Sequence, residues 1–443
     1  MTMFPSVGKE SGQPSAEEQA VKELLVLGAG TAGTMTVNKL RRSLAVGEWH
    51  ITIVDADDVH HYQPGYLFVP FGTYTPEQVT RSRHTTLPDG VNFVIGEVDR
   101  VDAAANTVAL TDGRTLSYDY LVIASGTTPR PDQTPGMLGS EWRRSIFDFY
   151  TLEGSTALAT AMQSFDHGRL VVHITDMPIK CPVAPLEFTF LADAWLRKRG
   201  LRHRVEIVYV TPLPGAFTKP ICSTALGYLL NERKIALETD YLVEQIDVEK
   251  KSLISYDERE VPFDLLVTVP LNMGADFVAR SGLGDELNFV PVDKHTLQSK
   301  ANPNIFAIGD ASDIPASKAG SVAHFAVEVF ADNFLELIAG KPMTGSFDGH
   351  ANCFIESGDG KALLIDFTYD TEPMAGKYPL PLVGPMSLLK ETKANHLGKM
   401  GFRWVYWNIL LPGHSMPVPT HMSMLGKTTV NTNTPWEESA TCP

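Results

Sequence analysis

The most reactive side chains of this 443-residue chain are four cysteines, Cys181, Cys222, Cys353 and Cys442. They are too few for a disulfide scaffold and none forms a Cys-x-x-Cys pair, so each is a redox, metal or packing candidate. Cys181 has the most informative setting. It follows an apolar strand, residues 169–174, in the loop Met177-Pro178-Ile179-Lys180-Cys181-Pro182. A turn that cradles a nucleotide pyrophosphate needs glycine there, so that backbone can approach the phosphates, and this loop has none. A thiol stands where a nicotinamide cofactor would be held, which points to sulfur redox chemistry rather than hydride delivery. Cys353 opens a Cys-Phe-Ile-Glu strand 172 residues further on, a separation that by itself does not show that the two meet. Cys222, beside Pro220 at the start of a helix-like run, reads as a packing residue, and so does Cys442 in the polar C-terminal tail.

Placing a thiol there requires a nucleotide-binding framework, and the chain opens with one. Residues 23–27 form an apolar strand that runs into Gly28-Ala29-Gly30-Thr31-Ala32-Gly33, a Gly-x-Gly-x-x-Gly turn, followed by a helical segment at 34–43. The next strand, 51–54, ends in Asp55, 27 residues after Gly28 and in range for an acid that binds a ribose hydroxyl. Two later segments complete the set. Residues 120–127 end in Ser125-Gly126-Thr127, and residues 304–311 end in Gly309-Asp310. These resemble the middle and ribityl-binding motifs of FAD-dependent two-dinucleotide-fold reductases. The three together imply FAD, because an NAD-only domain has no use for the later two.

The chain resembles the sulfide:quinone oxidoreductases and flavocytochrome c sulfide dehydrogenases over roughly residues 22–420. The resemblance rests on the fingerprint, the His60-His61-Tyr62-Gln63-Pro64 segment, the Cys-Pro-x-x-Pro-x-Glu loop (Cys181, Pro182, Pro185, Glu187), Gly309-Asp310, the run Ile314-Pro315 to Lys318 and Gly320, and the pair Cys353-Phe354. It implies a reaction in which hydrosulfide is oxidised to zero-valent sulfur at Cys181 and Cys353 beside FAD, with two electrons passed to quinone. It also implies Glu187 as proton acceptor, Lys318 as a positive charge at the flavin edge, and Phe354 as a wall of the quinone pocket. Lys180 and Lys318 are the cations expected to favour thiolate. Many relatives carry an additional cysteine before the position of Cys181; this chain does not, so flavin attachment through such a residue is excluded. His173, at the end of the second unit's first strand, is expected to be a satisfied core histidine rather than a proton shuttle.

Composition agrees with an acidic, ordinary globular protein: 43% hydrophobic residues and a net charge of −15, which argues against a nucleic-acid partner. No His/Cys/Asp cluster has metal-ligand spacing. The expected class is α/β. Two Rossmann-like units are expected, an FAD domain at 21–150 and 290–340 and a second unit without a NAD fingerprint at 151–289. A disordered tail at 1–20, with no export signal, and a C-terminal cap at 341–443 complete the division. From Lys390 to Lys427 the chain holds five basic residues against one acid, interspersed with Leu388, Leu389, Leu397, Met400, Phe402, Trp404, Val405, Trp407, Ile409, Leu410 and Leu411. That mixture is expected to form an interfacial anchor, giving a peripheral membrane protein on the cytoplasmic face that draws quinone from the bilayer, with a homo-oligomer as a further expectation. The alternatives are completion of the core or an oligomer interface for the segment. For the whole protein they are a sulfide dehydrogenase donating to a cytochrome, a type-two NADH:quinone oxidoreductase, or a non-catalytic flavin-binding regulator.

Overall fold

The computed structural model describes residues 21–381, 383–416 and 418–430; Cys442 and the tail at 1–20 lie outside them. The first unit is a five-stranded parallel sheet in the order Ile305–Ala307, Tyr120–Ile123, Lys22–Leu27, Trp49–Asp55, Val91–Ile95. Its strands are almost continuously apolar because both faces are covered; Leu24, Val26, Val122, Ile53 and Phe306 are fully buried. From Lys22–Leu27 the chain moves outward on one side to Trp49–Asp55 and on the other to Tyr120–Ile123. This reversal of strand order opens a crevice at the carboxyl ends of the strands, where open α/β sheets bind their ligands.

A second parallel sheet follows, in the order Ile146–Phe147, Leu265–Val269, Gly168–Ile174, Val205–Val210, Ala236–Glu238. Ile146–Phe147 pairs with Leu266 and Val267, so the second unit begins earlier than the expected boundary at 151. Thr128–Arg130 and Leu271–Met273 form an antiparallel pair at the crossing between the units. His173 is buried in this sheet, its Nδ1 at 3.0 Å from the Thr268 hydroxyl and its Nε2 without a partner. Burial pushes it down to about 3, so it stays neutral; it is a core residue and only half satisfied.

The C-terminal part is a mixed sheet, in the order Ala351–Gly358, Lys361–Phe367, Met386–Leu388, Ala375–Tyr378, Lys427–Thr428, together with the helix Lys393–Val405 and a π-helical turn Tyr406–Leu410. The expectation that the whole 386–427 segment forms an anchor is corrected here. Leu388, Leu389, Tyr406, Trp407, Leu410 and Leu411 are buried in the common core, while Leu397 and Trp404 are 70% and 63% exposed. Seven residues apart on one helix, those two share its outer face. The basic count also divides, because Lys399 and Lys427 turn inward to Glu187 and Asp366 and Arg403 lies 4.3 Å over the Tyr74 ring. Only Lys390 and Lys393 of the five are exposed. The segment turns inward because it closes the first unit's crevice. Among the described residues no helix is long and apolar enough to cross a membrane.

That closure is held by one phenol. His60 is pushed down to about 3, chiefly by burial, and is therefore neutral. Its Nδ1 lies 3.1 Å from the Ala29 carbonyl, which can only accept, so Nδ1 carries the proton and Nε2 accepts from the Tyr406 hydroxyl at 2.7 Å. The Tyr406 oxygen in turn accepts from Thr31, also at 2.7 Å. Tyr406→Phe leaves a buried His60 nitrogen and the Thr31 hydroxyl unpaired, and is expected to cost about 1–3 kcal/mol. An unfolding midpoint equal to that of the unsubstituted protein would show that the bridge carries no such weight.

Candidate active site

The fingerprint turn works by absent side chains. A Cβ on Gly28 would lie 2.5 Å from the Ala124 carbonyl oxygen, and one on Gly33 would lie 1.9 Å from the Gly28 carbonyl oxygen. Gly28 also has φ +104°, a conformation that glycine alone adopts without strain. Gly33 lets the helix Thr31–Arg41 pack onto the strand, while Gly30 faces open space with nothing within 4 Å. The helix N-terminus therefore points its free N–H groups into the crevice, as an anionic pyrophosphate requires. Asp55 closes the next strand. It accepts from Ala29 N at 2.6 Å and Ala56 N at 2.8 Å and pairs with Arg83 at 2.9 Å. Burial outweighs these partners and raises its carboxyl.

One cavity of about 330 Å³ joins these parts. Gly28, Gly30, Asp55, Gly126, Cys181, Glu187, Gly309, Asp310 and Lys318, nine of the residues singled out in the sequence, all line it. Gly33 lies behind the turn. Several lining residues carry buried polar atoms with no partner: the Ser125 and Thr127 hydroxyls, His61 Nδ1 and Glu187 Oε2. Orphaned groups of this kind are uncommon in a finished core, and together with the glycine cradle they fit a long, polar-ended group such as a flavin dinucleotide. Lys318 is not a free charge. Its ammonium donates to the carbonyls of Asp310 and Ser312, each at 3.0 Å, and lies 3.7 Å over the Phe289 ring. It fixes the Gly309–Ala311 turn at the cavity wall.

Cys181 is presented by strain. It has φ +49°, a left-handed conformation uncommon for a residue with a side chain, and three bonds hold it. Its N–H donates to the Lys318 carbonyl at 2.6 Å, and its carbonyl accepts from Ala184 N at 2.9 Å and the Tyr150 hydroxyl at 3.1 Å. The turn then feeds the helix Ala184–Lys198, which places Glu187 one turn in. That helix packs against the strand Ala351–Gly358, which carries Cys353. The backbone N–H of Glu356 donates to Glu187 Oε1 at 2.8 Å, joining the two elements. Cys181 and Cys353 are both free and half-buried, close enough that a charge on Cys353 acts on Cys181. Cys181 lines the cavity and Cys353 does not.

Burial pushes both thiols up, Cys353 to about 12, and the Glu187 carboxylate adds to the rise. The opposing cation is neither Lys180 nor Lys318, the two expected from the sequence. It is Lys399, whose field acts on both sulfurs. Its ammonium donates to Glu187 Oε1 at 2.8 Å and to the Phe354 carbonyl at 3.2 Å. Lys180 instead reaches the Thr127 carbonyl at 3.5 Å. Phe354 does not line the cavity; its ring packs against Gly398 of the cap helix. Phe402 and Tyr406 supply the aromatic wall in its place. Sequence reasoning missed Lys399, Arg83 and Tyr406. Lys399 was counted with the basic residues of the anchor, although its spacing from Leu397 and Trp404 puts it on another face of the helix.

A family model described as pyridine nucleotide-disulphide oxidoreductase matches residues 22–173 and ends just before the Cys181 loop. The mouse mitochondrial sulfide:quinone oxidoreductase is 26% identical over 399 residues, covering 88% of this chain and 87% of that protein. The mitochondrial sulfide:quinone oxidoreductase of Schizosaccharomyces pombe is 28% identical over 413 residues, covering 87% and 89%. The fold matches the solved sulfide:quinone oxidoreductase of Aquifex aeolicus with TM-score 0.73 at 21% identity, covering 88% of this chain and 92% of that one.

Because Lys399 is the cation at both sulfurs, Lys399→Met should raise both thiols and slow their alkylation. A shift of one unit corresponds to about tenfold at a fixed mildly alkaline pH. Mass-spectrometric rates at Cys181 and Cys353, compared with those of the unsubstituted protein, check this. Unchanged rates would remove Lys399 from the control of these thiols.

Proposed function

We propose that this chain is an FAD-dependent oxidoreductase of the sulfide:quinone type, oxidising hydrosulfide at Cys181 and Cys353 and delivering two electrons to a quinone. The observation that carries the reading is the position of Cys181: a strained turn holds it at the crevice, with a second thiol near enough for its charge to act on Cys181 and a buried acid and cation alongside. When bound, FAD supplies the two-electron acceptor between sulfide and quinone. The relatives' names and the match in fold support the same chemistry.

Sulfur oxidation needs an electrophilic sulfur to receive hydrosulfide; a disulfide between Cys181 and Cys353, formed from the two thiols with their two electrons going to bound FAD, would supply it, and attack by hydrosulfide would break that S–S bond, leaving a persulfide on one cysteine and a thiolate on the other. Lys399 favours the thiolate that must attack or leave. Glu187 keeps one oxygen, Oε2, without a partner and can take the proton of hydrosulfide or a thiol there. Gly28, Gly30, Asp55, Gly126, Gly309 and Asp310 hold the dinucleotide, and Lys318 keeps the Asp310 turn in register. The absence of glycine from 175–183 argues against NADH as donor, since nothing there can wrap a second pyrophosphate.

The cap helix Lys393–Val405 carries both the quinone wall and the contact with a membrane. Phe402 lines the cavity, whereas Leu397 and Trp404 face outward beside exposed Lys390 and Lys393. A shallow peripheral attachment through that face places the cavity mouth at the lipid boundary, where a quinone can enter without crossing water.

Anaerobic sulfide should bleach the visible flavin band and a short-chain quinone should restore it, while NADH leaves it unchanged. Bleaching by NADH and not by sulfide would overturn the reading. Cys181→Ser and Cys353→Ser are each expected to abolish sulfide-dependent quinone reduction with FAD still bound. For the membrane face, the double change Leu397→Glu with Trp404→Glu should abolish co-sedimentation with anionic vesicles while soluble-quinone activity persists; continued sedimentation would move the contact elsewhere.

A further inference from the structure

The two half-reactions do not balance in protons. Hydrosulfide releases two electrons and one proton on becoming zero-valent sulfur, and a quinone takes up two electrons and two protons on becoming hydroquinone. One proton per turnover must therefore come from solvent. The groups at the cavity have little access to it: the side chains of Glu187 and Lys399 are 1% and 11% exposed.

Behind them lies a second acid–base pair. Glu356 stands three residues beyond Cys353 on the same strand, and its backbone N–H already holds Glu187. Its carboxyl group, 1% exposed, meets His396 Nδ1 at 2.9 and 3.0 Å from its two oxygens, and the His396 ring is 29% exposed. His396 and Lys399 are three residues apart on the cap helix and so are neighbours on its surface.

We propose that His396 and Glu356 form the proton entry of this site, carrying one proton per turnover from solvent to Lys399 and Glu187; this rests on the sulfide–quinone reading. His396 takes the proton from water and passes it to the Glu356 carboxylate. Lys399, having given a proton towards the reduced quinone oxygen, takes that proton from the Glu356 carboxylic acid, which returns to carboxylate. Every proton gained at one group is lost from the one before it. Glu356 and Lys399 act on each other's charge without a direct hydrogen bond, so this last transfer uses a swing of the flexible lysine stem or one bridging water.

The acidities run in the required order. Burial, with Glu187 adding to it, pushes Glu356 up to about 7 against the pull of His396 and Lys399. Burial alone would lower Lys399, but Glu187 and Cys181 raise it to about 12. Transfer from protonated Glu356 to neutral Lys399 is therefore downhill. The groups facing Glu356 are His396 and Lys399 from the cap helix, Glu187 from the Cys181 helix and the Tyr74 phenol. Arg233 donates to the neighbouring Ser357 carbonyl and pairs with Glu391 at 2.9 Å.

The test uses the FAD-loaded protein with its flavin reduced chemically rather than by sulfide, then mixed with a short-chain quinone in a stopped-flow instrument across a pH series. Reoxidation in the unsubstituted protein should slow as pH rises through about 7, where Glu356 loses its proton. Glu356→Gln should be slower by on the order of 10²-fold, with a flat profile. His396→Ala should be slowed likewise and recover on addition of imidazole, which a merely structural role would not allow. A Glu356→Gln protein with the original rate and profile overturns the relay. So does a His396→Ala protein that imidazole does not rescue; since His396 is partly exposed, this arm stands even if Glu356→Gln does not fold. Because the electrons are loaded without sulfide, failure of the relay is distinguishable from failure of sulfide as donor, which the bleaching experiment reads. Failure of the unsubstituted protein to be reoxidised by quinone overturns both.

Discussion

The arrangement depends on an ion pair taken out of water. Glu187 and Lys399 come from elements 212 residues apart and meet at 2.8 Å with almost no solvent at either end. Stripping two charges of their hydration costs several kcal/mol per ion, which their attraction offsets only when the remaining donors and acceptors are also engaged. Here they are engaged on one side: Lys399 also donates to Phe354 O, and Glu187 Oε1 also accepts from Glu356 N. The oxygen left over, Glu187 Oε2, has no partner, and Glu187 lines the cavity. The pair therefore draws together the Cys181 helix, the Cys353 strand and the cap helix, and leaves one vacant lone pair among them.

The second Rossmann-like sheet repeats the plan of the first with a different product at the same topological position. In the first unit, the strand Lys22–Leu27 ends in Gly28–Gly33 and a helix that presents N–H groups. In the second, the strand Gly168–Ile174 ends in a loop that bridges to Lys318 and a helix that presents Glu187. A turn built for phosphate and a turn built for a thiol occupy equivalent places. The second needs no glycine because nothing as bulky as a pyrophosphate must approach its backbone; it needs a residue forced into the left-handed region, and Cys181 is that residue.

Local patterns carried much of this. Glycine spacing, strand-terminal acids and the Cys-Pro-x-x-Pro-x-Glu loop are short-range signals, and they singled out Gly28, Gly30, Asp55, Gly126, Gly309, Asp310, Cys181 and Glu187, which the fold brings to one cavity, although Glu187 meets its partners only across the chain. Lys399 and Tyr406 were not singled out, since their roles arise from contacts hundreds of residues away in sequence; Arg83 was not, because it meets Ala29, Asp55 and Asp57 only once separate elements have packed together. Phe354 was misplaced for a related reason: adjacency to Cys353 on a strand sends its side chain to the opposite face, towards Gly398. The C-terminal segment misled because an amphipathic helix that closes a crevice and one that lies on lipid have the same composition, and only the division of its faces separates them.

The wall of the crevice has a temporal consequence. Gly28 and Gly30 leave a ribosome at least 369 residues ahead of Lys399, Phe402 and Tyr406, which complete the same cavity. The Tyr406 hydroxyl bridging Thr31 and His60 is a seam between the beginning and the end of the polypeptide. During synthesis the cofactor cradle accordingly stands open until residues 399–406 have been made. Loading can precede sealing, and a polypeptide truncated before residue 399 retains the fingerprint but loses the lid that keeps its occupant dry.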